Sequence, residues 1–212
     1  MDSGARLPRF SGSAWRGAFG HALRRLSCVT GAEDCAGCLF RSRCDYAYLF
    51  ETPPPPGSEK LRRYPAAPHP YVLDPLGGTE GGGGHDFQLG VTLVGRAAER
   101  AGRVVAALRA AGADGIGPGR PALTLSGVAA ETAPGTEGFA ERPDLANDGS
   151  TLSPAPPAIP PAPEAVTLAF QHPLRVQRQG RVVGPREFRF ADLFAPLLRR
   201  ISLLSYFHTD RP

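Results

Sequence analysis

An α+β fold, with two helices laid over one face of an antiparallel sheet, is predicted by three features of this 212-residue chain. A helical apolar stripe lies near the N-terminus, two strand-like segments follow it, and a second helical stripe leads into a short alternating stretch. Ser13 can cap the first helix, which runs to about Leu26 and places Trp15, Ala18, Phe19, Ala22, Leu23 and Leu26 on one side. Its opposite face carries Arg16, Gly17, His21, Arg24 and Arg25. After a cysteine-bearing loop from Cys28 to Cys44, the run Pro53 to Pro56 must be extended or a turn.

Tyr71–Leu73 and Phe87–Val94 then read as a hairpin joined by a loose connector around Gly81 to Gly84. Gly95 to Ala111 predicts a second helix, small-residue-rich on the face of Ala97, Ala98, Ala101, Val104, Val105 and Leu108, with Arg96, Arg100 and Arg103 outside it. Ala122 to Val128 alternates as a strand does. With a first strand in or before Gly4 to Phe10, the order becomes the βαββαβ of a ferredoxin-like domain spanning residues 1–128, whose free sheet face could meet RNA.

Residues 129–164 are rich in Pro, Ala, Gly, Thr and Glu and read as an interdomain linker. Beyond it, residues 165–212 supply the strand-like Val166–Phe170 and Leu174–Val176. A helix follows over Phe188 to Phe207, with Leu193, Phe194, Leu197, Leu198, Ile201 and Leu204 on its apolar side. One strand region and one helix cannot enclose a core, so this is expected to be an incomplete second unit that needs the rest of a domain or a partner.

Hydrophobic residues at 42% and charged residues at 21% suit a globular chain, while 26 Gly and 23 Pro require substantial linker. The net charge of +4 is polarised: residues 1–63 and 165–212 are basic and residues 64–164 acidic, a pattern compatible with contact to a polyanion. The N-terminus has no apolar leader and no run approaches the roughly 18 apolar residues of a membrane span, so the expected location is the cytoplasm, away from membranes.

All four cysteines fall in one short stretch, Cys28, Cys35, Cys38 and Cys44, whose central Cys-x2-Cys can place two thiolates on one metal ion. Structural zinc is the expected occupant; an iron–sulfur cluster is the alternative that the spacing leaves open. His21 shares its helix face with arginines able to hold a phosphodiester. An imidazole so placed can take the 2′-hydroxyl proton of RNA and drive attack on the adjacent phosphate, leaving a 2′,3′-cyclic phosphate and needing no catalytic metal. His69, His85, His172 and His208 show no such neighbourhood in the sequence and receive no role.

Three blocks in this order carry a family resemblance: Ser13-Ala-Trp-Arg-Gly-Ala-Phe-Gly-His-Ala-Leu-Arg-Arg-Leu26, Cys44-Asp-Tyr-Ala-Tyr-Leu-Phe-Glu51 and Phe170-Gln-His-Pro-Leu-Arg-Val-Gln-Arg-Gln-Gly180. Together they resemble the CRISPR-associated precursor-RNA-processing endoribonucleases of the RAMP superfamily. The resemblance implies two ferredoxin-like domains, metal-independent cleavage of CRISPR repeat RNA, and transfer of the guide RNA to an interference complex. It also implies that His21 is the general base. On this reading Arg16, Arg24 and Arg25 contact phosphates, Arg175 and Arg178 hold RNA along the second unit, and Gly117, Gly119 and Arg120 form a phosphate-approaching loop. The family's second domain continues past the equivalent of Pro212, so the chain is expected to be truncated. The competing reading is a non-catalytic RNA-binding subunit of a CRISPR ribonucleoprotein, or an inactive fragment.

Overall fold

The computed structural model describes residues 7, 11–61, 64, 66–76, 87–131, 139–141, 159, 161–170 and 174–209. Helix α1 covers Gly12–Ser27 and buries the expected stripe through Trp15, Phe19, Ala22 and Leu23. Its N-cap is Ser11 rather than Ser13: the Trp15 amide donates to the Ser11 carbonyl at 3.0 Å, so the helix begins before the expected cap and Ser13 lies exposed in its first turn.

Strands β1 (Tyr71–Leu76) and β2 (Gln88–Leu93) pair antiparallel, with Tyr71 opposite Leu93 and Leu76 opposite Gln88. The Gly81–Gly84 connector lies outside the described residues. After β2 the chain does not enter a single long helix as expected. A 3-10 segment, Gly95–Arg100, comes first and α2 occupies Ala101–Asp114. Gly95 has φ +58°, and a Cβ there would overlap the His208 carbonyl, so both the turn and the approach of the C-terminal helix depend on glycine.

Helices α1 and α2 pack against each other, and α1 also meets β1. The core joins Phe19, Ala22 and Leu23 of α1 to Val104, Ala107 and Ala111 of α2, with Tyr71, Tyr46, Leu49 and Ala97 around them. Small residues on α2 let the helices approach closely, and the Phe19 and Tyr71 rings meet edge to face at 5.3 Å.

Three described segments expected to be strands are not strands. Residues 122–128 hold no strand because their hydrogen bonding begins at the end of α2, where the Leu123 amide donates to the Gly112 carbonyl at 2.9 Å. Residues 166–170 and 174–176 likewise carry no strand. Inside the expected linker, β3 (Ala129–Glu131) pairs antiparallel with β4 (Phe139–Glu141). The first strand expected around Gly4 to Phe10 falls, apart from Leu7, outside the described residues. The class is therefore α+β, with three two-stranded antiparallel sheets among the described residues.

A tight hairpin, β5 (Gln177–Arg178) and β6 (Arg181–Val182), turns at Gln179 and Gly180, which have φ +51° and +80°. It is tied to α3 (Phe190–His208) by the Arg178 guanidinium, which grips both carboxylate oxygens of Asp192. That pairing holds the Asp192 carboxyl at about 2. Asp192 also accepts the Arg189 amide at 2.8 Å, closing the first turn of α3.

The far end of α3 docks on the N-terminal half. His208 Nε2 donates to the Pro68 carbonyl at 2.8 Å, the Tyr48 hydroxyl lies 3.2 Å from His208 Nδ1, and Arg96 donates to the Phe207 carbonyl at 3.0 Å. Between these anchors Phe190, Phe194, Leu197, Leu198 and Ile201 are exposed, the same apolar side that the sequence predicts to be uncovered. No helix among the described residues is long and apolar enough to cross a membrane.

Burial holds the His208 imidazole below its ordinary range, and the charge of Arg96 adds to this. The unfolded chain therefore binds a proton near pH 6.5 that the folded chain refuses, so stability falls as pH drops below that value. Thermal melts between pH 7.5 and 5.5 should show the loss, and His208→Gln should flatten this dependence while lowering the melting temperature at pH 7.5. An equally steep pH dependence in the variant would contradict the assignment.

Candidate functional site

The four cysteines sit at the ends of local structure. Cys28 caps α1, its amide donating to the Arg24 carbonyl at 2.8 Å. Cys35 and Cys38 bracket a turn closed by Cys38 N–H to the Cys35 carbonyl at 3.3 Å, and Cys44 accepts the Tyr48 amide at 2.9 Å just before a π-helical turn, Ala47–Glu51. All four are free thiols, and all line one cavity of about 30 Å³ with Thr30, Phe40 and Tyr46 among its other walls. Thr30 Oγ1 lies 3.7 Å from the Cys28 sulfur and 3.9 Å from that of Cys38.

Among the described residues no three His, Cys, Asp or Glu side chains already converge at metal-ligand geometry. The donor chemistry nevertheless suits zinc, because four thiols line one small cavity, with Ser27, Thr30, Asp34 and Tyr46 as the oxygen-bearing residues beside them. Ligation at about 2.3 Å would require the loop to contract around the cavity. Hydrogen bonds from Thr30 lower the Cys28 thiol, whereas burial raises that of Cys35.

The arginines expected to hold phosphate do not form one patch. Arg24 donates to the Ala32 and Glu33 carbonyls at 2.5 and 2.7 Å and lies 5.8 Å from the Tyr46 ring centre, so it closes the cysteine loop onto α1. Arg25 pairs with Asp114 of α2 at 2.7 Å, and Arg178 is committed to Asp192. Arg16 turns toward His69, its guanidinium 3.1 Å from Nε2 and 4.5 Å above the Phe50 ring. His21 is exposed on α1, and Arg120 and Arg175 are exposed elsewhere.

The expected glycine loop is a real turn. Gly115, Gly117 and Gly119 have φ of +87°, +78° and +71°, and Arg120 follows at +47°. A Cβ on Gly115 would overlap the Arg120 carbonyl, whereas Gly119 has open space around it. Buried Ile116 anchors the turn at the end of α2.

Sequence reasoning missed His69 and His208, both brought into the body of the fold by contacts across long sequence separations. Burial lowers the His69 imidazole first, and Arg16 and Arg200 lower it further. The one local hint was the pair of prolines flanking His69, Pro68 and Pro70, which hold the chain extended there.

The described elements from α1 to β4 coincide with a family match: residues 1–155 match AF_1859_N, described as an N-terminal domain. The chain belongs to that family. As an AF_1859_N domain it includes the cysteine cluster, the β1–β2 hairpin, α2 and the glycine turn, while β5, β6 and α3 lie beyond the matched residues. No curated protein and no solved structure matches the chain.

Proposed function

We propose that this chain is the RNA-binding part of a CRISPR repeat-processing endoribonuclease, built on a ferredoxin-like, RAMP-type architecture and acting in the cytoplasm. The observation that carries the reading is the turn anchored by buried Ile116, whose tip from Pro118 to Arg120 is exposed and carries the Arg120 guanidinium beside the positive-φ glycines Gly117 and Gly119. The three sequence blocks and the polarised positive charge support it. CRISPR repeat RNA is the proposed substrate and subunits of the interference complex are the proposed recipients.

The reaction proposed is attack of a ribose 2′-hydroxyl on its own phosphate, giving a 2′,3′-cyclic phosphate and a 5′-hydroxyl without a catalytic metal. By resemblance His21 is the base. Cys28, Cys35, Cys38 and Cys44 would hold zinc, which when bound supplies a tetrahedral cross-link and no chemistry; an iron–sulfur cluster would use the same four thiols.

A second reading, a non-catalytic RNA-binding subunit, is favoured by one observation: Arg24 and Arg25, the arginines nearest His21 in sequence, are engaged within the protein. Binding of labelled repeat RNA at several salt concentrations tests what both readings share. Affinity should fall as salt rises, and Arg120→Ala should weaken binding and reduce the salt slope by about one. Binding that is absent or insensitive to salt would refute both.

A further inference from the structure

His69 is held in a way that a surface histidine is not. Its Nδ1 lies 2.8 Å from Thr52 Oγ1, and the Thr52 hydroxyl donates to the Leu49 carbonyl at 3.1 Å. The hydroxyl proton is thereby used, so Oγ1 accepts from Nδ1–H, and the network assigns the neutral ring a lone pair on Nε2. That lone pair faces the Arg16 guanidinium at 3.1 Å. Phe50 and Tyr71 stack on the imidazole, with centroids at 6.3 and 5.7 Å and both rings inclined by 25°, so its orientation is fixed as well as its tautomer.

Arg16 is exposed and His69 is partly so, which leaves the pair open to a ligand at the surface. A guanidinium carries five donors in a fork that suits an anion's oxygens, so an anion beside the pair can draw Arg16 from Nε2 and leave that lone pair open. An imidazole with a fixed tautomer beside such a donor set can take a proton from a hydroxyl next to the bound phosphate.

Building on the ribonuclease reading, we propose that Arg16 turns from Nε2 to hold one RNA phosphodiester, and that the Nε2 lone pair of His69 so released, rather than His21, accepts the 2′-hydroxyl proton. As that proton moves to Nε2, the 2′-oxygen forms a bond to phosphorus and the bond from phosphorus to the 5′-oxygen breaks. Its electron pair stays on the 5′-oxygen, which takes a proton from water. Imidazolium then returns its proton to solvent. Burial and the charges of Arg16 and Arg200 favour the neutral ring, opposed only in part by Glu51.

The test combines two readouts on the full chain: imidazole proton NMR during titration with inorganic phosphate, and single-turnover cleavage of labelled repeat RNA across pH. Phosphate should shift the His69 resonances, and Arg16→Ala should abolish that shift. His69→Gln should slow cleavage by about 100-fold or more, with RNA affinity within about threefold of the parent and an unchanged circular dichroism spectrum.

The proposal is overturned if phosphate moves His21 and not His69, or if His69→Gln cleaves within about threefold of the parent while His21→Ala does not. A parent chain that cleaves nothing refutes the ribonuclease reading. The phosphate titration then decides the binding site alone: a His69 shift lost in Arg16→Ala retains it, and no shift removes it.

Discussion

Phe19→Ala is expected to destabilise the protein by about 3–5 kcal/mol, the range for removing a large aromatic side chain from a filled core. Phe19 is wholly buried in α1 and touches the elements that define the core, meeting the Tyr71 ring edge to face. Domains are commonly stable by only about 5–15 kcal/mol, so the substitution should consume a large share of the total. Urea unfolding checks this: the midpoint should fall sharply with the slope unchanged. A midpoint near that of the parent would mean that the α1–α2–β1 junction is not the stabilising centre.

Removal of metal is expected to have the second large effect. Structural zinc sites in small peptides bind with apparent free energies of about 10–16 kcal/mol, and much of that is coupled to folding of the loop. The loop's other supports are mostly short-range hydrogen bonds, among them Ala32 N–H to Thr30, Ala36 N–H to Asp34, Arg41 N–H to Cys38 and Arg43 N–H to Phe40. Arg24 spans from α1 to the Ala32 and Glu33 carbonyls, and the Cys35–Cys38 turn adds a single backbone bond at 3.3 Å.

Elemental analysis of protein purified without chelator should find one zinc per chain. Cys38→Ser should lose it, with a lower melting temperature and easier proteolysis within residues 28–44. An iron signal with visible absorbance would instead select the cluster, and metal-free protein with an unchanged melt would reject both.

Much of the α-helical structure was legible in the sequence because its signal is periodic and local. The stripe Trp15, Phe19, Ala22 and Leu23 is buried as expected, and α3 falls within two residues of its expected limits. The β1–β2 hairpin was legible because Phe87–Val94 alternates and Tyr71–Leu73 is a short run of strand-forming residues across a Gly-rich connector. The third strand was not. Residues 122–128 alternate, yet Gly112 at the end of α2 offers a carbonyl to Leu123, and a local bond of that kind leaves no periodic trace.

The candidate site was legible only in part. The four cysteines, clustered in sequence, do line one cavity, though among the described residues they do not converge at metal-ligand geometry. The partners of the basic face of α1 were not legible, because a helical wheel shows which way Arg24 and Arg25 project but not that the Ala32 and Glu33 carbonyls and Asp114 meet them. Arg16 and His69 are 53 residues apart, so their contact becomes visible only once β1 is laid beside α1.

The measurement that bears most directly on the central claim is incubation of the purified chain with end-labelled CRISPR repeat RNA in EDTA, followed by identification of the product ends. The expected result is a single cut that leaves a 2′,3′-cyclic phosphate on one fragment and a 5′-hydroxyl on the other. RNA that stays intact at protein concentrations that saturate it, or product ends that carry a 5′-phosphate and a 3′-hydroxyl, would contradict the account.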